Sequence, residues 1–183
     1  MRRLAVALLF LLCCARREHS VERYEKDGIR FSVPSACDVA ADKYLNEQHT
    51  RRAIHIECSD HAVFSIISIP ANTSETLEMF ARNVASKRAT AIEKKLSVSD
   101  VNLGHETAPT FENAATTIHG APAQGVRNRF SVELLGQNIP HVAEFYMLQS
   151  SRSKVFLMTQ VAERHLEDTR PRWKAVFDTL EVE

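Results

Sequence analysis

Three runs of this chain are apolar at both odd and even positions: AVFSIISI (62–69), HVAEFYML (141–148) and KVFLMTQV (154–161). Successive side chains of a strand point to opposite faces, so strands of this kind need cover on both sides. A sheet with one wet face is excluded, and other elements must supply two layers. Two helical stripes are available. Leu77, Phe80, Ala81, Val84, Ile92 and Leu96 recur at helical spacing, with Ser74 as the expected N-cap. Glu75 and Glu78 near its start and Lys94 and Lys95 at its end complement the helix dipole. Trp173, Val176, Phe177 and Leu180 form a second stripe, with Asp168 or Thr169 as cap and Pro171 in the first turn.

The remaining strands are shorter or one-sided. Ile29–Val33 alternates between Gly28 and Pro34, and 52–58 places Ile54, Ile56 and Cys58 on one face with His55 and Glu57 on the other. Residues 126–134 alternate Val126, Phe130, Val132 and Leu134 with Arg127, Arg129, Ser131 and Glu133, ahead of a turn at Gly136-Gln137-Asn138. Thr116–His119 is a further candidate strand, and a short one is expected within 98–103. Residues 38–48 read as a loop with one helical turn. Hairpins with two inserted helices give an α+β class: an α/β/α-type sandwich around an antiparallel sheet, with one long central helix and a C-terminal helix.

The N-terminus fixes where such a chain works. Met1-Arg2-Arg3 is followed by the apolar run LAVALLFLL (4–12) and Cys13-Cys14-Ala15. This is the pattern of a secretory signal peptide over 1–15, and the apolar run is far short of the ~20 residues that span a bilayer. Leu11 stands three places before Cys14, as in a bacterial lipobox, whereas Cys13 occupies the place where Gly, Ala or Ser is usual. Cys14 is thus a possible lipidation site. Residues 16–27 (RREHSVERYEKD) read as a polar tether, leaving 28–183 as a single domain in the periplasm or at the envelope. Without Arg2 and Arg3, 21 basic residues face 23 acidic ones, so neither nucleic acid nor an anionic lipid surface is an expected partner.

Cys37 and Cys58 remain in the exported part. In an oxidising compartment an even pair reads as a disulfide, with two buried thiols as the alternative. No CxxC or HxxxH spacing accompanies them, so a zinc site is not expected.

The segment Tyr24-Glu25-Lys26-Asp27-Gly28-Ile29-Arg30-Phe31-Ser32-Val33-Pro34, with Val155-Phe156-Leu157-Met158-Thr159 before the last helix, resembles the superfamily of the PsbP extrinsic proteins and the DcrB-type envelope proteins. The resemblance covers most of the chain after the leader. It implies this fold and an envelope-type accessory role, and it supplies no catalytic residue.

Candidate chemistry is sparse. The densest cluster runs His49…His55-Ile56-Glu57-Cys58-Ser59-Asp60-His61, in which His55, Glu57 and His61 are weak metal candidates. A polar strand face beside a turn explains the same residues. No Gly-x-Ser-x-Gly elbow, GxGxxG or GxxxxGK[ST] loop occurs. Arg127 and Arg129, with His119 or His141, would make a small cationic face, or simply the wet side of an outer strand. Asn72-Thr73-Ser74 matches a glycosylation acceptor. The expected function is an exported, non-enzymatic protein-binding module of the cell envelope without cofactor: an assembly or accessory factor, or an immunity-type protein. The partner would be another envelope or secreted protein. The alternative is a small metal-binding protein or hydrolase using the His/Glu cluster.

Overall fold

The computed structural model describes residues 22–59, 62–98, 101–102 and 104–183. The expected signal peptide, Cys14 and His61 lie outside the described residues. In chain order the elements are β1 (Glu22–Lys26), β2 (Ile29–Val33), β3 (Cys37–Tyr44), β4 (Arg52–Cys58), β5 (Val63–Pro70), α1 (Leu77–Leu96), β6 (Ser97–Val98), β7 (Val101–Asn102), β8 (Gly104–Glu106), β9 (Thr110–Ile118), β10 (Ala121–Leu134), β11 (Gln137–Gln149), β12 (Ser153–Ala162), a 3-10 turn (Glu163–His165), α2 (Leu166–Thr179) and β13 (Glu181–Val182).

The main sheet has the order β3-β4-β5-β12-β11-β10-β8, with β9 also on β10, and each pairing is antiparallel. Its two-sided strands, β5, β12 and β11, lie inside it as their composition requires. Phe145, Phe156 and Ala143 face a cluster with Phe80 and Ala81 of α1. The alternate residues Val142, Tyr146, Val155 and Leu157 face a second cluster with Trp173, Val176 and Phe177 of α2. That second face is also covered by a small sheet, β1-β2-β13, through Ile29, Phe31 and Val33. The class is α+β, with a long helix and a C-terminal helix.

Several boundaries differ from expectation. Glu22–Lys26, read within a polar tether, is β1, paired residue for residue with β2. Its hairpin closes at Asp27-Gly28, where both residues have positive φ, the geometry of a two-residue turn that matches strand twist. His119-Gly120 and Leu135-Gly136 close two more hairpins in the same way, so Gln137 and Asn138 belong to β11 rather than to a turn. Residues 38–48, read as a loop, contain most of β3, whose pairing to β4 organises a segment of weak strand formers. The α1 cap is Thr76, not Ser74: its hydroxyl accepts from Met79 N at 3.2 Å. α2 starts at Leu166, before the expected caps, so Pro171 is inside the helix and Thr169 donates back to His165 O at 2.8 Å.

Two buried polar sets fasten the layers. Arg88 of α1 meets Glu106 of β8 through Nε at 2.9 Å and Nη2 at 2.8 Å, and Nη2 also donates to Asn128 Oδ1 at 2.7 Å. Its guanidinium lies 3.4 Å from the Phe130 ring centre. On the other face Arg127 holds the buried Glu144 at 2.7 Å, and the Tyr146 hydroxyl donates to the same carboxylate at 2.9 Å.

Tyr146 also explains a glycine. A Cβ on Gly125, its cross-strand partner, would lie 2.4 Å from the tyrosine ring and 2.5 Å from the Phe145 carbonyl oxygen. Gly125→Ala therefore forces β10 and β11 apart. It is expected to lower stability by about 2 kcal/mol, read as a fall in the urea midpoint, and an unchanged midpoint would contradict this close approach.

Candidate binding surface

The tip of the β3–β4 hairpin is a loop held by its own side chains. Asn46 Oδ1 accepts from Thr50 N at 3.1 Å and Arg51 N at 2.9 Å, while Nδ2 donates to Thr50 Oγ1 at 2.8 Å. Leu45 N donates to Arg51 O at 2.7 Å and His49 N to Asn46 O at 3.1 Å. His49 takes a positive φ, which turns its ring onto Tyr44 in a stack of 4.6 Å between centres. The loop thereby presents Leu45, 50% exposed, beside the Tyr44–His49 stack.

The base of this tip is built around Arg52, whose side chain is only 5% exposed. Its Nε and Nη2 meet both oxygens of Asp42 at 2.8 and 3.0 Å, Nη1 donates to Lys26 O at 3.0 Å, and Nη2 also reaches the Tyr24 hydroxyl. The guanidinium lies 6.0 Å from the ring centres of both Tyr24 and Tyr44. Tyr24 donates to Asp42 at 2.9 Å, and Tyr44 donates to Asp27 at 2.9 Å. The Arg52 hydrogen bonds hold the Asp42 carboxyl well below the usual range, and burial with the Asp42 contact pushes Tyr24 up to about 12. Arg51 extends the surface to the start of the long helix through Glu75 at 3.0 Å. A buried bidentate pair and two aromatic rings thus fix an exposed leucine on a rigid mount.

Cys37 and Cys58 stand directly opposite in the β3–β4 register and form a disulfide at the other end of this strand pair. The sequence separation is 21, a loop whose closure is worth about 3 kcal/mol by chain entropy. Cys37 therefore offers no nucleophilic thiol.

The other sequence candidates are not gathered into a site. His55 Nδ1 lies 2.8 Å from Ser65 Oγ, but Ser65 is fully buried, so this pair offers no substrate a nucleophile. Glu57 is exposed on the same strand face as His55. Among the described residues no group of three or more His, Cys, Asp or Glu is close enough to hold a metal ion. The expected cationic face is corrected by its partners. Arg127 is held by Glu112 and Glu144, and Arg129 by Glu112 and Glu163, so both charges are already matched. His141 lies on the opposite face, stacked on Phe130 at 5.3 Å, and His119 serves a turn, its N–H donating to Phe177 O at 2.9 Å. Asn72 is exposed in the turn after β5. Sequence reasoning missed Tyr44, Leu45 and Asn46, whose only signal was an isolated apolar pair before an asparagine in a polar stretch.

No family model matches the chain, and no curated protein matches it. At the level of the fold it is similar to the solution structure of cyanobacterial PsbP (CyanoP) from Synechocystis, with 14% identity, 93% of this chain and 97% of that one covered, and a TM-score of 0.48. Two further structures overlap it. LpqN, involved in cell envelope biogenesis of Mycobacterium tuberculosis, has 9% identity, 91% and 87% coverage and a TM-score of 0.37. PA94, a protein of unknown function from Pseudomonas aeruginosa, has 16% identity, 89% and 97% coverage and a TM-score of 0.35. Among the described residues no helix is long and apolar enough to cross a membrane.

Two histidines give the fold a pH dependence of fixed sign. Burial pushes both His55 and His141 below the ordinary imidazole range, Lys43 adding to the effect at His55 and Arg88 at His141. The unfolded chain takes up these protons near pH ~6.5 and the folded chain only below that, so stability is full above this pH and falls beneath it. The urea midpoint is expected to drop between pH 7.5 and pH 5. The double variant His55→Gln/His141→Gln is expected to flatten that drop, and an undiminished slope would contradict the assignment.

Proposed function

We propose that this chain is an exported, non-enzymatic protein-binding module of the cell envelope, acting as an assembly or accessory factor or as an immunity-type protein. The observation that carries the reading is the preorganised β3–β4 tip, where Leu45 stands half exposed beside the stacked Tyr44 and His49. Ordering a loop on binding costs free energy, and a loop already fixed by Asn46 and Arg52 avoids that cost. A solvent-facing apolar side chain on a hairpin tip that also exposes Lys43, Glu47 and Arg51 has the make-up of an interface anchor with polar neighbours. Export rests on the leader pattern of Met1 to Ala15, and the chain after it carries almost balanced charge.

The alternative reading, a metal-binding protein or hydrolase using His55, Glu57 and His61, draws no support from the described geometry. His55 has one ring nitrogen engaged with Ser65.

Leu45→Asp tests the reading without touching the core. Tagged wild-type and variant protein are used to capture partners from crosslinked envelope, with the bound proteins quantified by mass spectrometry. The expected result is one protein bound in stoichiometric amount to the wild type and reduced at least tenfold with the variant, about 1.4 kcal/mol of binding. Equal recovery with both forms, or none with either, would contradict the assignment.

A further inference from the structure

The two edges of the main sheet are treated differently. β3, at one edge, carries the devices that stop strands from adding: its register shifts between Val39 and Ala41, and it bears Asp38, Asp42 and Lys43. β9, at the other, has neither a register shift nor an unmatched charge, and α2 packs beside it, with the adjoining His119 N donating to Phe177 O. Its nine residues, TFENAATTI, pair with β10 without a register shift, contain no proline, and have no strand on their outer side among the described residues. The single charge, Glu112, is already held by Arg127 and Arg129 of the neighbouring strand at 3.2 and 3.1 Å. An exposed regular edge of this length is a template for an added strand, with its outward N–H and C=O groups open to pairing.

The row is also complementary to itself. Antiparallel pairing about Ala114 sets Glu112 opposite Thr116, Asn113 opposite Ala115 and Phe111 opposite Thr117, so no like charges face each other. Glu78 and Arg82 of α1 line the cleft beside Phe111 and Asn113, and a two-fold axis there offers an acid and a base from each copy. With 21 basic against 23 acidic residues after the leader, two copies meet little net repulsion.

We propose that the β9 edge is where two copies of this chain pair, antiparallel about a two-fold axis at Ala114, joining their main sheets. This surface is separate from the β3–β4 tip, and the inference stands independently of the partner proposed there.

Sedimentation equilibrium of the purified protein, from about 1 to about 300 µM, tests it with two charge variants. Asn113 and Ala115 are exposed, so substitutions there leave the core alone, and circular dichroism checks that each variant keeps its sheet. The wild type is expected to show a monomer–dimer equilibrium. N113K/A115K places lysines opposite lysines across the axis and is expected to raise the dissociation constant at least tenfold. N113E/A115K places opposite charges there and is expected to restore the dimer. A wild type that stays monomeric throughout the range would overturn the inference and leave the edge to a strand from another protein. Three identical dissociation constants, or no recovery in N113E/A115K, would overturn it as well.

Discussion

The structure depends on the burial of β5, β11 and β12 on both faces. Phe145 and Phe156 point one way and Tyr146, Val155 and Leu157 the other, all fully buried or nearly so. Neither face can be left to water, so α1 must close one and α2 with β1-β2-β13 the other. Apolar area is the main stabilising term at about 25 cal/mol per Å² buried, and nine of the twelve largest fully buried side chains lie on these three strands. Several buried polar groups are held in shared sets, while Thr159 Oγ1 and Trp173 Nε1 are buried without a hydrogen-bond partner among the described residues. Arg88 with Glu106 and Asn128, and Arg127 with Glu144, mark where a layer ends and fix its position, and removing one partner from such a pair costs about 3–5 kcal/mol.

That arrangement also explains where the two proposed binding surfaces lie. The centre of the sheet is consumed by packing, and unpaired strand edges are left at its margins. The β3–β4 tip and the β9 edge lie at opposite ends of the strand order. The disulfide between Cys37 and Cys58 and the Arg52 network secure the first margin at either end of one hairpin, so its tip is displayed from a stiff support.

The sequence was most readable where burial sets a period. β2 and β4 follow from alternation, β5, β11 and β12 from runs apolar on both faces, and both helices from the i, i+3, i+4 spacing, and Trp173 lies in the core as its stripe required. Reading failed where a strand draws its stability from its neighbour. β1 has only Tyr24 turned inward and otherwise shows charge, so its composition looked like a tether, although Asp27-Gly28 carried the hairpin signal. β3 is an edge of Asp, Ala and Lys residues that becomes a strand through β4 and the disulfide. The cysteine pair was legible because compartment and parity bear on it directly. The candidate surface was not, because Leu45 gains meaning only once Asn46 and Arg52 are seen to fix its loop. Arg127 and Arg129 misled for a related reason: their counterions, Glu112, Glu144 and Glu163, are distant in sequence and adjacent only once the chain is folded.

Native-state hydrogen exchange tests the central dependence most directly. If two-faced burial of the middle strands is what holds the molecule together, the slowest amides lie in β5, β11 and β12 and exchange only through global unfolding. Those of β1, β3 and the β3–β4 tip then open earlier. A protein whose slowest amides lay instead in β1-β2-β13 or in α1, with β11 and β12 exchanging by local opening, would contradict the account.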